Sequence, residues 1–510
     1  CQIIPADKMP RWGEGPAHIN AAFGQDDLYV EMTFLRTLEK YGIAPSWRQA
    51  GIEFALTRYP LWCANNAGRI NVRRGIMPPD SGHPKFSEWS EAIDYQIEAD
   101  FAGLISPGLP NEVIRLGDIF GRVMNYGDGI YGGMWVGAMY AAAFFESDPA
   151  KIVRTGLEAI PRESRYHRCI SDVLKTWEQN PNDWEEAWKV VQRNWHDNPH
   201  LWRDKSHEAK HNVGAKVNGA YIAIGLLYGQ GDPEKTIVIS TRCGQDSDCN
   251  PSNAGGVIFT ALGMDKIPPK FKEGLDQTQK FSHTDYNFPT LLEVCERLAR
   301  QIVSHAGGQV VTEDGQEVFR IPVQKATPPP LEQSDRPGPI SNSRATSEEM
   351  EVIRKSREFL AEQLQPQLDQ FARGWKLHLC GSDMDPGLKD QIRGRSRVFV
   401  THPPQANESC YLERTLRLPT GDKVVLKLTV GHHEHGDWRL VVTVTCDGQG
   451  HVVLKRDIGP KTCKDGWTDV EVDLSTYAGK TVTLKLENSP TGWMCEAGYW
   501  AEIAFEPVVR

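Results

Sequence analysis

Residues 243–263 read CGQDSDCNPSNAGGVIFTALG, placing Asp246 and Asp248 one residue apart just before a run of small and apolar residues. Such a run suits a buried helix. One aspartate at its start is ordinary, because an N-cap carboxylate accepts from the orphan N–H groups of the first turn. The second has no such duty. An acidic pair recurs upstream in FGQDDLYVEMTF (23–34), where Asp26 and Asp27 open an apolar periodic segment. Glu31 lies one turn beyond Asp27 on the same helix face. Four or five carboxylates drawn together repel one another unless a cation neutralises them. Oxygen-only ligands suit a hard ion, Mg²⁺ or Ca²⁺, rather than Zn²⁺. Spacing alone fits equally well two unrelated N-caps on solvent-facing helix starts.

Outward from these two elements, residues 26–305 read as mostly helical. DDLYVEMTFLRTLEKYG carries apolar residues at 28, 32, 35 and 38 and closes on Gly42. GGMWVGAMYAAAFF (132–145) and NGAYIAIGLLYG (218–229) are apolar nearly all round, as buried helices are. TLLEVCERLARQIVSH (290–305) ends the run. Residues 307–324 then alternate around an Asp-Gly turn and predict a hairpin. ATPPPLEQSDRPGPISNS (326–343) is Pro-rich and linker-like, and a charged helix is expected near 346–372. From about 376, short alternating segments with Gly/Asp turns predict an antiparallel β-sandwich. The expected organisation is therefore multidomain α + β: an all-α domain over 1–306, hairpin and linker over 307–345, a connecting helix over 346–375, and the sandwich over 376–510.

At 510 residues the chain is too long for one ordinary core. A net charge of −10 argues against a nucleic-acid footprint, which is basic, and no apolar run is long enough to span a bilayer. The eleven cysteines are scattered and odd in number, so a complete disulfide framework is not implied. Cys1-Gln2 reads equally as the first residues of a processed lipoprotein and as an arbitrary start. The compartment stays open between secreted, periplasmic or lipoprotein-anchored on one side and cytoplasmic on the other.

The segment GDPEKTIVISTRCGQDSDCNPSNAGGVIFTALG (231–263) resembles the signature of the ADP-ribosylglycohydrolase family, in which an acidic Gly-Asp-Thr-Asp-Thr-Asn run precedes a small-residue helix. QDD at 25–27 resembles that family's earlier Thr-Asp-Asp element. Both matches stand in the right order, and the resemblance covers roughly residues 20–305. It implies an all-α domain with two adjacent Mg²⁺ ions that hold a ribofuranoside's hydroxyls during glycosidic hydrolysis. Carried over residue by residue, Asp26, Asp27, Asp246 and Asp248 are the expected metal ligands, with one or two Mg²⁺ ions as cofactor and Ca²⁺ or Mn²⁺ as substitutes. Such an ion polarises substrate oxygens and lowers the pKa of a bound water. Three positions depart from the pattern. Gln25 stands where the family usually has a metal-binding Thr, Ser247 replaces the intervening Thr, and Cys249 the Thr after the second Asp. A neutral thiol is a poor Mg²⁺ ligand. The family's opening helix and acidic turn are not recognisable in IIPADKMPRWGEGP (3–16).

Other segments offer groups to complete a site. Glu31, Glu98 and Asp128 are candidate acid–base residues; in the slot of Asp128 family members often carry a histidine. Asp100, Asn125, Tyr126, Trp135 and Asn250 are candidate substrate contacts, Trp135 with a competing role in the core. His432, His433 and His435 cluster in GHHEHGDW (431–438), where a solvated loop is the stronger reading than a metal site. Trp438, Trp467, Trp493 and Trp500 serve either a sugar groove or the sandwich core. The expected function is a divalent-metal-dependent glycoside hydrolase acting on a furanoside-containing carbohydrate. An ADP-ribosyl-protein hydrolase and a non-catalytic carbohydrate-binding protein are the alternatives. The expected partner is a carbohydrate or ribosyl-type substrate, not nucleic acid, and the oligomeric state is open.

Overall fold

The computed structural model describes residues 2–9, 20–197, 212–493 and 495–505. Cys1 and residues 10–19, part of the segment compared with the family's opening element, lie outside them. The chain divides into two compact units, Cys1–Met350 and Glu351–Arg510.

The first unit is helical. Its centre is built from the helices Asp128–Ala143 and Ala215–Gly229, the latter buried at every residue. The small-residue helix Cys249–Leu262 joins them in one core through Ala254, Val257 and Ile258. Small side chains are what let it approach. A Cβ placed on Gly256 would stand 1.9 Å from the Tyr140 hydroxyl of Asp128–Ala143. A second core gathers the helix Asp26–Tyr41 against Phe101, Phe120, Leu298 and Ile302. Phe34 is its hub, with ring centroids 4.8 Å from Phe120 and 5.6 Å from Phe101. The 3.6-residue period of each helix thus fixes which element it meets, and brings the starts of two acidic helices toward one another.

The strands Gln309–Glu313 and Gln316–Arg320 form the hairpin expected there. Asp314 and Gly315 both take positive φ, as a two-residue type I′ turn requires. The Pro-rich stretch that follows is a strap bonded to the helical body. The Tyr131 hydroxyl donates to the Pro330 carbonyl (3.0 Å) and accepts from the Glu332 amide (2.6 Å). Arg122 pairs with Glu332, and Arg165 with Asp335. The Tyr126 hydroxyl accepts from the Gly338 amide at 3.0 Å. Asp80, only 1% exposed, accepts from the amides of Ser341 (2.8 Å) and Ser343 (2.9 Å) and pairs with Arg344. Asp80→Ala leaves two strap amides without their acceptor. It is expected to cost about 2–3 kcal/mol and to open residues 326–343 to limited proteolysis, read by cleavage mapping; unchanged protection would refute the anchoring role.

The second unit carries two five-stranded sheets. One runs Trp467–Asp473, Val425–His432, Gly498–Phe505, Arg395–Thr401, Gly387–Ile392, and the other Lys376–His378, Cys410–Arg417, Thr481–Ser489, Trp438–Cys446, Gln449–Ile458. The pairings are antiparallel. A single core takes Leu426, Leu428 and Val430 from the first and Leu440, Val442 and Leu484 from the second. Trp438 and Trp500 are wholly buried there, 5.4 Å apart. Trp467 packs with Tyr499 in a smaller cluster, while Trp493 is half-exposed. His432 is buried, its Nδ1 against the carbonyls of His433 and Gly436, and His435 is exposed.

Candidate metal centre

The loop before the small-residue helix is set by Asn218, which lies inside the buried helix Ala215–Gly229. Its Nδ2 donates to Gln245 Oε1 (3.1 Å), and its Oδ1 accepts from the Asp246 amide (3.2 Å) and from Asn250 Nδ2 (2.8 Å). Gly244 and Gln245 take positive φ to make the bend. The two aspartates then divide the labour. Asp246 Oδ1 accepts from the Cys249 amide at 3.3 Å, the capping role. Asp248, at the N-cap position itself, makes no side-chain cap bond and is exposed. Capping therefore accounts for Asp246 and leaves Asp248 available to a ligand.

Asp26 and Asp27 occupy the first turn of their helix, where the macrodipole favours negative charge. Burial raises the Asp26 carboxyl; its own backbone amide opposes this, and Asp248 raises it further. The two acidic elements therefore sense one another across the site. Burial, then the neighbouring charges of Asp26 and Asp100, push Asp27 up to about 7. Burial and Asp248 do the same to Asp246, also to about 7. Beyond Asp27, burial and then Asp100 raise Glu31, and burial raises Asp100, offset in part by Glu31. Among the described residues, the one set of three His, Cys, Asp or Glu side chains with ligand atoms all within 4.8 Å of one another is Asp246, Asp248 and Cys249.

These residues fit a hard divalent cation. Asp27 Oδ1 and Asp100 Oδ1 are buried without a hydrogen-bond partner, and an unpartnered buried carboxylate oxygen is costly unless a cation meets it. Cys249 suits such an ion poorly, since burial and the carboxylates of Asp27, Asp246 and Asp248 hold its thiol neutral. A cavity of about 550 Å³ opens beside the cluster, walled by Asp100, Asp248, Tyr140, Leu104 and the Pro251, Gly255 and Phe259 face of the small-residue helix.

Several sequence candidates have other surroundings. Asp128 Oδ1 accepts from the Tyr166 amide at 3.2 Å, and the charges that act on it are Glu91, Lys216 and Arg165. Asn125 spends its amide on the carbonyls of Ser90 and Ala92 and on the Tyr95 amide. Tyr126 holds the strap, Trp135 is wholly buried in the core, and Asn250 braces the loop through Asn218. Glu98 is brought near Asp26 and Asp27 together with Asp94 and Asn65. Asp94, Asn65, Asn218 and Tyr140 were not singled out from sequence; only the four-residue spacing of Asp94 and Glu98 offered a signal.

A pH dependence follows. A carboxyl raised in the folded state binds more protons folded than unfolded between its unfolded value near 4 and its folded value. Stability then falls as pH rises through that window, by on the order of 1.4 kcal/mol per group for each pH unit crossed. Asp27, Asp94 and Asp246, each near 7, place the window at pH 4–7. The metal-free protein is expected to melt at progressively lower temperature from pH 5 to pH 7.5, and Mn²⁺ or Mg²⁺ to flatten the slope. A melting profile that rises with pH without metal would contradict this.

The profile of the ADP-ribosylglycohydrolase family matches residues 8–307, more than half of the chain. No curated protein sequence matches it significantly. Among solved structures, the xylan-binding CBM22-1 domain of Paenibacillus barcinonensis Xyn10C aligns at 13% identity over 26% of this chain and 85% of that one, TM-score 0.21. The K3 adhesin domain of Lys-gingipain from Porphyromonas gingivalis aligns at 12% over 27% and 95%, TM-score 0.20. The family is one of glycosyl-hydrolase-type enzymes, generally dependent on a divalent metal. On the profile match, which spans both acidic elements, this chain belongs to the ADP-ribosylglycohydrolase family.

Proposed function

We propose that the protein is a divalent-metal-dependent glycoside hydrolase acting on a furanoside-containing carbohydrate, with Asp26, Asp27, Asp246 and Asp248 as ligands to Mg²⁺. The observation that supports this best is the meeting of the two acidic helix starts beside a cavity, with buried carboxylate oxygens left unpartnered. When bound, the ion polarises a substrate oxygen or activates a water. Asp100 faces the cavity and exchanges a proton with the substrate, while Glu31 behind it holds and orients that carboxyl. Pro251, Gly255 and Phe259 present an apolar wall to a sugar face. Among the described residues, the charged groups lining the cavity are the carboxylates of Asp100 and Asp248, a wall that suits a neutral hydroxyl-rich ligand better than an anionic one.

The test is sugar release from furanosides, pyranosides and ADP-ribosyl-arginine, each with Mg²⁺ and with EDTA. Release from a furanoside that EDTA abolishes is the expected result. Cleavage of ADP-ribosyl-arginine alone would replace the carbohydrate reading with ADP-ribosyl hydrolysis, and silence across the panel in a metal-loaded protein would overturn catalysis.

A further inference from the structure

Next to the centre described above, Asn65 bonds to both Asp94 and Glu98, and each of the three side chains keeps one oxygen bare. Asn65 sits in the first turn of the helix Cys63–Arg73, and its amide donates to Asp94 Oδ1 at 2.8 Å. Its side-chain Nδ2 donates to Glu98 Oε1. Asp94 and Glu98 stand one turn apart, at the start and the C-cap of the short helix Asp94–Ile97. All three are almost wholly buried: Asn65 is 3% exposed, Asp94 5% and Glu98 1%. Asn65 Oδ1, Asp94 Oδ2 and Glu98 Oε2 have no hydrogen-bond partner. Two of the bare oxygens are on carboxyl groups that also feel Asp26, and Glu98 feels Asp27 as well. Arg69, one turn beyond Asn65, directs Nη1 to the Tyr59 carbonyl at 2.6 Å.

Burying three acceptors without a donor is costly, and two adjacent acidic ones add mutual repulsion. A sugar is too large for oxygens this deeply enclosed, whereas a single ion is not. We propose that Asn65, Asp94 and Glu98 form a second hard-cation site, separate from the one made by Asp26, Asp27, Asp246 and Asp248. Its ligands are two carboxylates and an amide carbonyl, a donor set for Mg²⁺, Mn²⁺ or Ca²⁺ and unsuited to softer metals. The ion joins the Cys63–Arg73 helix to the Asp94–Ile97 turn and offsets the negative charge behind Asp27. This assignment does not rest on the glycosidase reading.

The experiment is metal counting by mass spectrometry on the full chain after equilibrium dialysis against Mn²⁺, with Ca²⁺ in a parallel arm. Asp94→Asn/Glu98→Gln is expected to lower the bound Mn²⁺ by one ion per chain. Added to Asp246→Asn/Asp248→Asn, it is expected to remove one ion that the latter variant still holds. An unchanged count with a raised melting temperature would overturn the proposal, because it is the signature of relieved repulsion at a site that holds a proton or water. Asn65→Asp guards against misfolded variants: a third carboxylate should tighten Mn²⁺ binding by ~tenfold at this site. A loss of stability that Mn²⁺ does not restore would again count against it. The counting has no activity readout, so it can fail while the glycosidase reading stands, and the reverse.

Discussion

Exchanging Asp246 and Asp248 for asparagine is expected to lower sugar release by about 10³-fold or more while raising the melting temperature of the metal-free protein. The two effects have one cause. In the folded chain Asp246 is held up by burial and by Asp248, and Asp26 by burial and by Asp248. Without a cation this repulsion only destabilises; on the proposed reading a cation turns it into ligation. Asparagine keeps the shape, and its side-chain oxygen at position 246 can still accept from the Cys249 amide as Asp246 does, but it removes charge from the ion. A bound ion supplies several kcal/mol of charge stabilisation in the transition state, and ~4 kcal/mol corresponds to ~10³ in rate. Both readouts are needed: turnover with saturating Mg²⁺, and calorimetric melting with EDTA. Lost turnover with a lowered metal-free melting temperature would mean the aspartates brace the loop rather than bind metal.

Gly256→Ala is expected to cost about 2–3 kcal/mol and to impair turnover, although residue 256 carries no reactive group. The added Cβ would meet the Tyr140 hydroxyl at 1.9 Å, and Tyr140 is buried in the wall that holds Asp100. Either Tyr140 swings away, surrendering its bond to the Asn253 carbonyl (3.4 Å), or the helix Cys249–Leu262 retreats and carries Asp248 with it. Both outcomes disturb the cavity wall. Trimming the obstacle tests the cause: with Tyr140→Phe the nearest atom to the new Cβ becomes the ring Cζ at 2.8 Å instead of the hydroxyl at 1.9 Å, so the double variant should lose measurably less than the sum of the two single losses. Urea unfolding followed by signals from the helical unit measures it. Strictly additive losses would refute the steric account.

The parts of the fold that follow from local pattern were legible. Residues 132–145 and 218–229 lack a polar face, and most of each lies within a buried helix, Asp128–Ala143 or Ala215–Gly229. The Asp-Gly turn placed the hairpin, and the alternating segments beyond 376 became antiparallel strands. The acidic pairs were visible because each lies within three residues of sequence. What escaped was whatever depends on elements meeting in three dimensions. Asn65 and Asp94 are ordinary residues in ordinary segments until one helix start faces a short turn. Asn218 lies in a run read as uniform core, yet its two polar ends hold the loop that carries Asp246 and Asp248. Trp135, attractive as a sugar platform by residue type, is enclosed in packing that its own neighbours dictate. Asp128 has an isolated glycine-flanked position in sequence, and the fold gives it Tyr166, Glu91 and Lys216 for company.

The strap also bears on where this polypeptide can be divided. The family profile ends at residue 307, a natural-looking place to cut when the helical part is wanted by itself. A fragment ending there would forfeit the bonds that Asp80, Tyr126, Tyr131 and Arg122 make with residues 330–344. Asp80 would then be a bare charge at a newly wetted seam, and the fragment would be prone to aggregate for reasons unrelated to its active centre. The compact unit runs to Met350, in the first turn of the helix Ser347–Phe371, so a fragment that keeps this seam closed has to extend beyond residue 344.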